Sequence, residues 1–246
     1  METGMCYHLS LIHNLRYLEQ RFGASFENPA DYGPTYHKAA FSAPAHSVIT
    51  DEEPGRIKLL EWGLIPGWVK DIEQAEDVRK GTFNAKAETV FQKPSFRSSI
   101  KDKRCLVLAD GFFEWQSAGG RKYPYYVRLK SKDAFAFAGI WAEWNSGKDA
   151  KTTFSIITTE ANPMLEKIHN TKKRMPVILR PEDKKKWLEK GLKPEEISSM
   201  LRPYDENEME AYTISKLITS REKKNLAEVI APFEYKELIE AQKTLF

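Results

Sequence analysis

A single α+β domain with a strand-rich, barrel-like antiparallel core and peripheral helices is the fold this sequence predicts, and three observations predict it. The chain has 246 residues, a length that one compact β-rich domain commonly occupies. Many short strand-like runs recur between Gly, Pro, Asp and Ser punctuation, with helices scattered among them rather than alternating as βαβ units. The composition is 41% hydrophobic and 12% aromatic, which supplies a sizeable core and argues against disorder.

Taken in order, Leu9 to Phe22 carries Leu11, Ile12, Leu15, Leu18 and Phe22 and stops at Gly23, the pattern of an amphipathic helix with a glycine stop. Glu27 to Pro44 is rich in Pro, Gly, Tyr and Ala and reads as irregular chain. Two strands follow, from Val48 and over Arg56 to Trp62, joined by the Glu53-Pro54-Gly55 turn. Ile72 to Lys80 reads as a charged helix or loop, and Ala87 to Phe91 as a short helix ending before Pro94. Arg104 to Ala109, Phe112 to Trp115, Tyr123 to Leu129, Ala134 to Trp144 and Thr153 to Thr159 are predicted strands. Ala161 to His169 is a helix with Pro163 in its first turn, where a missing N–H costs nothing. Val177 to Leu179 is a short buried strand. Pro181 to Lys190 and Pro194 to Leu201 are proline-started helices, Tyr212 to Ile214 a strand, and Tyr235 to Phe246 a terminal helix.

Charge and cysteine usage exclude several classes. A net charge of +3 demands no polyanionic partner, so any nucleic-acid site is a local patch. The two cysteines, Cys6 and Cys105, form no CxxC and no metal-ligand spacing, which reads as a reducing compartment with no disulfide framework and no metal. The start lacks a basic region followed by an apolar run, and no apolar run reaches the length of a membrane span. The expectation is a cytoplasmic monomer without a cofactor and without a membrane partner.

The start of the chain poses a chemical question. A chain beginning at Cys6 would carry a thiol and a free α-amine on adjacent carbons, able to attack one carbonyl together. Met1 to Met5 precede Cys6 and acylate that amine. Three readings stand: translation starts at Met5, residues 1–5 are a leader that is removed, or Cys6 is an ordinary buried thiol.

Four further segments set polar residues beside aromatics. Trp62-Gly63-Leu64-Ile65-Pro66-Gly67-Trp68 offers two tryptophans that either stack on nucleobases or anchor the core. Asn84 and Lys86 are two apart, on one face of an extended chain; they are an amide and a phosphate contact, or a turn and a solvated lysine. Glu114, in Asp110-Gly111-Phe112-Phe113-Glu114-Trp115, is a carboxylate among aromatics suited to moving protons near neutral pH, or the wet side of a strand. His169 precedes the basic run Lys172-Lys173-Arg174; it is an acid–base group near pH 7 or a structural histidine. No glycine-rich phosphate loop, GxSxG elbow or HExxH motif occurs.

Together these segments resemble the SOS-response-associated peptidase (SRAP) family, which shields abasic sites in DNA. The matching stretches are Cys6 after a methionine, Trp62 to Pro66 with Trp68, Asn84 to Thr89, Arg104-Cys105 leading to Gly111 to Trp115, Ala138 to Trp141, Ile156 to Asn162, and His169 with Arg174-Met175-Pro176. They run in the family's order. The resemblance implies a leader of residues 1–5 lost from the active form and one domain over 6–246. It implies that N-terminal Cys6 forms a thiazolidine with the ring-opened sugar of an abasic site in single-stranded DNA, with autopeptidase and lyase activity, in the DNA damage (SOS) response. Asn84 would orient the amine, and Glu114 and His169 would move protons. Lys86, Arg174 and Arg104 would hold phosphates, and Trp62 or Trp68 would support bases. Apart from the resemblance, the basic run itself leads Lys172 and Lys173 to be expected beside Lys86 and Arg174 along the DNA groove. Cys6-Tyr7-His8 stands where the family continues Cys-Gly-Arg, Lys86 where it has arginine, and Asn170 to Lys173 are inserted after His169. The competing expectations are a thiol peptidase acting on other proteins and a non-catalytic single-strand binding module with Cys6 capped.

Overall fold

The computed structural model describes residues 7–220 and 225–238. In chain order the elements are β1 (His8–Leu11), α1 (Leu15–Phe22), β2 (Ser25–Phe26), β3 (Thr35–Ala39), β4 (Ala45–Thr50), β5 (Arg56–Trp62) and α2 (Ile72–Arg79). Then come β6 (Asn84–Lys86), α3 (Ser99–Asp102), β7 (Arg104–Ala109), β8 (Gly111–Ala118), β9 (Arg121–Leu129), β10 (Phe135–Asn145) and β11 (Ala150–Glu160). The last are α4 (Pro163–Ile168), β12 (Arg174–Pro176), α5 (Asp183–Trp187), α6 (Pro194–Met200) and β13 (Met209–Thr213).

Five strands close into a barrel in the order β5-β4-β7-β10-β11, and β11 returns to β5. Four of those seams are antiparallel; the closing one is parallel, with Phe154 opposite Trp62. Closure leaves no open edge in the ring, which removes a template for aggregation. A second sheet, β13-β9-β8-β1-β3, is antiparallel throughout. Side chains alternate along each strand, so cross-strand partners such as Val48, Val107 and Phe137 share a face. That face joins Leu9, Phe112, Val127 and Leu129 of the second sheet in one apolar cluster. Leu106, Leu108, Ala136 and Ala138 belong to another cluster, with Leu18, Trp187, Ile197 and Met200 from the helices.

The two sheets are one continuous chain at β7 and β8, joined through Asp110. Its carboxylate accepts from Ser10 Oγ at 2.7 Å and from the Ile12 and His13 backbone N–H groups. Ser10 Oγ also lies 2.9 Å from the Tyr126 hydroxyl. Gly111 is what admits that tyrosine: a Cβ there would sit 2.2 Å from the ring oxygen. Burial and the nearby Asp110 charge push the Tyr126 phenol far up, so it remains a neutral donor. This buried polar cluster pins β1, and with it the residues that follow Cys6, against β8.

Several expectations change. The helix predicted from Leu9 begins only at Leu15, where Asn14 accepts from Tyr17 N at 2.9 Å. Leu9, Ser10 and Leu11 are all buried, because Leu9 packs into one apolar cluster and Leu11 into the other while Ser10 joins Asp110 and Tyr126, so the strand's apolar spacing no longer marks a helix. Ala87 to Phe91 forms successive turns rather than a helix. The irregular Glu27 to Pro44 contains β3. The terminal helix over Tyr235 to Phe246 falls largely outside the described residues.

Candidate functional site: a cavity between Glu114 and the start of the chain

A cavity of about 330 Å³ opens where β1, β3 and β8 meet the end of α4. Tyr7, His8, His37, Phe41, Glu114, Trp115 and His169 line it together with Lys122 and Lys216. Cys6 lies outside the described residues, but it is peptide-bonded to Tyr7, a lining residue.

Glu114 comes from the middle of β8, opposite Tyr125, and is 3% exposed. His169 comes from the C-terminus of α4. Asn162 starts that helix by accepting from Leu165 N at 2.8 Å, with Pro163 next, and the His169 N–H donates to Leu165 O at 2.7 Å. The result places His169 Nδ1 3.7 Å from Glu114 Oε2, with both side chains buried. The same Nδ1 is 2.8 Å from the Arg174 carbonyl. A carbonyl only accepts, so Nδ1 carries a proton and Nε2 of the neutral ring is the nitrogen left to take one.

The inserted residues after His169 form a closed turn, and one of them, Thr171, lines the cavity with it. Lys173 N–H donates to His169 O at 2.8 Å, which closes the loop on itself. Asn170 is tied to β8 in both directions, accepting from Ser117 N at 3.0 Å and donating to Ser117 O at 2.8 Å. Asn84 is buried on β6, paired with Ile156 of β11. Thr158, two residues along β11, accepts from Arg174 at its carbonyl. Asn84 and the His169–Arg174 turn are therefore held by the same strand.

The residues expected to hold DNA separate into three groups. Lys86 and Lys172 are exposed; Lys173 is exposed and pairs with Glu166 at 2.5 Å. Arg174 is committed to Glu88 through both guanidinium nitrogens, at 2.5 and 3.0 Å, and to the Thr158 carbonyl at 2.7 Å. Burial lifts the Glu88 carboxyl, yet the Arg174 fork and the nearby Lys86 outweigh it and hold it below its ordinary value. Arg104 and Trp62 correct the expectation outright. Arg104 is fully buried and donates to the carbonyls of Trp187, Ile100, Lys101 and Glu189, so its fork ties α3 and α5 to β7. Trp62 is fully buried, stacks on Phe154 at 5.8 Å and donates to Phe83 O at 2.8 Å; it has no face to offer a base. Trp68 is 50% exposed, in a separate groove. Cys105 is a buried free thiol whose pKa burial raises well above the ordinary value, the opposite of a reactive cysteine.

Sequence reasoning missed His37, Phe41, Lys122 and Lys216, and passed over His8. The signal for His37 needed β3: once β3 pairs with β1, His8 falls opposite Ala39 and the two rings meet. No local pattern marks the lysines.

A closed barrel with a second sheet folded onto it is an architecture that known proteins share. Residues 5–221 match the family described as SOS response associated peptidase (SRAP), and the chain belongs to that family. It is 39% identical over 230 residues to the abasic site processing protein YoqW of Bacillus subtilis, covering 92% of this chain and 99% of that one. It is 31% identical over 202 residues to the abasic site processing protein HMCES of Gallus gallus, covering 70% of this chain and 59% of that one. A crystal structure of a protein from Bacteroides thetaiotaomicron superposes with a TM-score of 0.88 at 37% identity, covering 93% of this chain and all of that one.

Proposed function

We propose that this protein processes abasic sites in single-stranded DNA by covalent capture at Cys6, acting as a cytoplasmic monomer from a chain that begins at that residue. The observation that carries this reading is the pairing of Glu114 with His169 in a cavity whose wall starts at Tyr7. A sugar aldehyde bound there meets both nucleophiles of an N-terminal cysteine and two proton-moving groups.

The chemistry balances without a cofactor. An unperturbed α-amine has a pKa of about 7.7–8.0, so a useful fraction is neutral at pH 7. It adds to the aldehyde of the ring-opened sugar, and water leaves to give an imine. The thiol then adds across the C=N bond, its sulfur to carbon and its proton to nitrogen, closing a five-membered ring. Tethering makes that closure intramolecular. Glu114 and His169 deliver and remove the protons that accompany sugar opening and loss of water, and Asn84 orients the amine. The same imine is the intermediate from which strand scission, a lyase reaction, departs. The free amine arises from translation at Met5 with hydrolytic loss of that methionine, or from attack of the Cys6 thiol on the Met5 carbonyl: the C–N bond breaks as a thioester forms, the amine takes the thiol proton with Glu114 assisting, and water then hydrolyses the thioester to release residues 1–5. Lys86, Lys172 and Lys173 contact phosphates, Arg174 does so from its pair with Glu88, and Trp68 supports a base.

A gel with abasic and intact oligonucleotides tests the reading. Wild-type protein is expected to give a denaturation-resistant adduct with abasic single strands alone. An adduct with intact strands, or none with abasic ones, would overturn it.

A further inference from the structure

The cavity holds a second pair of proton-carrying groups that the chemistry above does not use. His8 Nδ1 lies 2.7 Å from His37 Nε2, with the rings 5.0 Å apart and 11° from parallel. One of those nitrogens must donate and the other accept, so a single proton lies between two imidazoles. Aromatic rings fix both partners. Trp115 meets His8 at 4.8 Å and Phe113 meets His37 edge-on at 5.3 Å. His37 is 6% exposed, while His8 is half-buried, and both line the cavity that Glu114 and His169 share.

We propose that His8 and His37 form a one-proton relay that stores the Cys6 thiol proton while the sulfur attacks, and returns it to the ring nitrogen of the adduct. This rests on the covalent-capture reading. His8 stands two residues after Cys6 in the sequence, which is what assigns the relay to that thiol. The step conserves protons. The S–H bond breaks as the C–S bond forms, the imidazole pair takes the proton, and the nitrogen that receives the C=N electron pair takes it back. Storage is limited to one proton, because a second would set two positive rings 2.7 Å apart. The pair therefore titrates as a unit. The other titratable side chains that line the cavity are Glu114, His169, Lys122 and Lys216; the carboxylate attracts an imidazolium and the ammonium groups repel it.

Two measurements on the chain beginning at Cys6 decide the matter. The first is the pH profile of single-turnover crosslinking to an abasic oligonucleotide, for wild type, His8→Gln and His37→Gln. The expected result is a rate loss of about tenfold or more at neutral pH, with the shape of the wild-type pH profile altered and oligonucleotide affinity unchanged. Unaltered rate and profile in His8→Gln, whose side chain is only half-buried, would overturn the relay. The second is an imidazole nitrogen NMR titration of wild-type protein without DNA. Coupled, sequential protonation of His8 and His37 is expected, collapsing to one independent step for His8 in His37→Gln. Independent titration in wild type, with the adduct still forming, would overturn the pair alone. Absence of any wild-type adduct would overturn covalent capture, and the relay's use with it, even with coupled titration intact.

Discussion

Two of the hollows among the described residues differ sharply in chemistry. The groove beside Trp68 measures about 470 Å³ and is lined by Pro66, Pro94, three serines, Asp102, Lys103 and Glu143. Its charges are spent on the surface: Lys103 pairs with Glu143 at 2.7 Å and lies over Trp141 at 4.1 Å. The cavity beside Glu114 is smaller, yet it gathers two histidine–partner pairs, and its Glu114, His37 and His169 are almost wholly buried. Burial of groups that must exchange protons is costly unless they are paired, so pairing of this kind marks a reactive site better than size does. The Trp68 groove has the form of a surface that a stacked base or a strand can lie on.

The largest effect that sharpens this contrast is expected from Glu114→Gln. The amide keeps the shape and cannot carry the proton. Single-turnover crosslinking should slow by roughly 100-fold or more, with melting temperature and oligonucleotide affinity retained. A wild-type rate would remove Glu114 from the chemistry.

The tryptophans six residues apart should separate stability from binding. Trp62→Ala removes a buried ring and should cost about 3–5 kcal/mol in denaturant unfolding. Trp68→Ala should leave stability within about 0.5 kcal/mol and weaken single-stranded DNA binding by about 1–3 kcal/mol through a lost stack. Unchanged affinity in Trp68→Ala would confine DNA to the Glu114 side.

Acid should act on stability through the barrel, at His46. Burial, reinforced by the Lys38 charge and opposed by a hydrogen bond to the Leu108 carbonyl, pushes the His46 imidazole down to about 3. The unfolded chain protonates this ring below about pH 6.5, whereas the folded one stays neutral down to about 3. The contribution of His46 is therefore complete above pH 6.5 and is lost as pH falls toward 3. Between pH 7 and pH 5 it should shrink by about 2 kcal/mol. Unfolding curves at the two pH values for wild type and His46→Gln check this: the variant should lose less.

The smallest effect is expected from Lys86→Ala, an exposed position. Affinity for single strands should fall modestly, and the slope of log affinity against log salt should decrease by about one contact.

Fold class was legible because strand and turn chemistry is local. The Glu53-Pro54-Gly55 turn, the Asn162-Pro163 helix start and the polar link before Phe135 all stand where the sequence puts them. Leu9 to Leu11 misled because a strand buried on both faces loses the alternation that identifies strands. Glu114 was readable as a carboxylate among aromatics and His169 as a histidine beside a basic run, and both line the cavity, whereas Asn84 is buried on β6. Arg104 and Trp62 were not readable, since a buried arginine satisfied by four carbonyls looks, in sequence, like one awaiting a phosphate. The His8–His37 contact spans 29 residues and depends on strand register, which no local pattern reveals.

The thiazolidine at Cys6 is tested most directly by intact mass of the protein–DNA adduct. A peptide-bonded nitrogen cannot form an imine, so the account predicts a mass equal to the chain starting at Cys6 plus the abasic oligonucleotide minus one water. No such species should form with Cys6→Ala. A stable adduct that still carries Met1 to Met5 would contradict it.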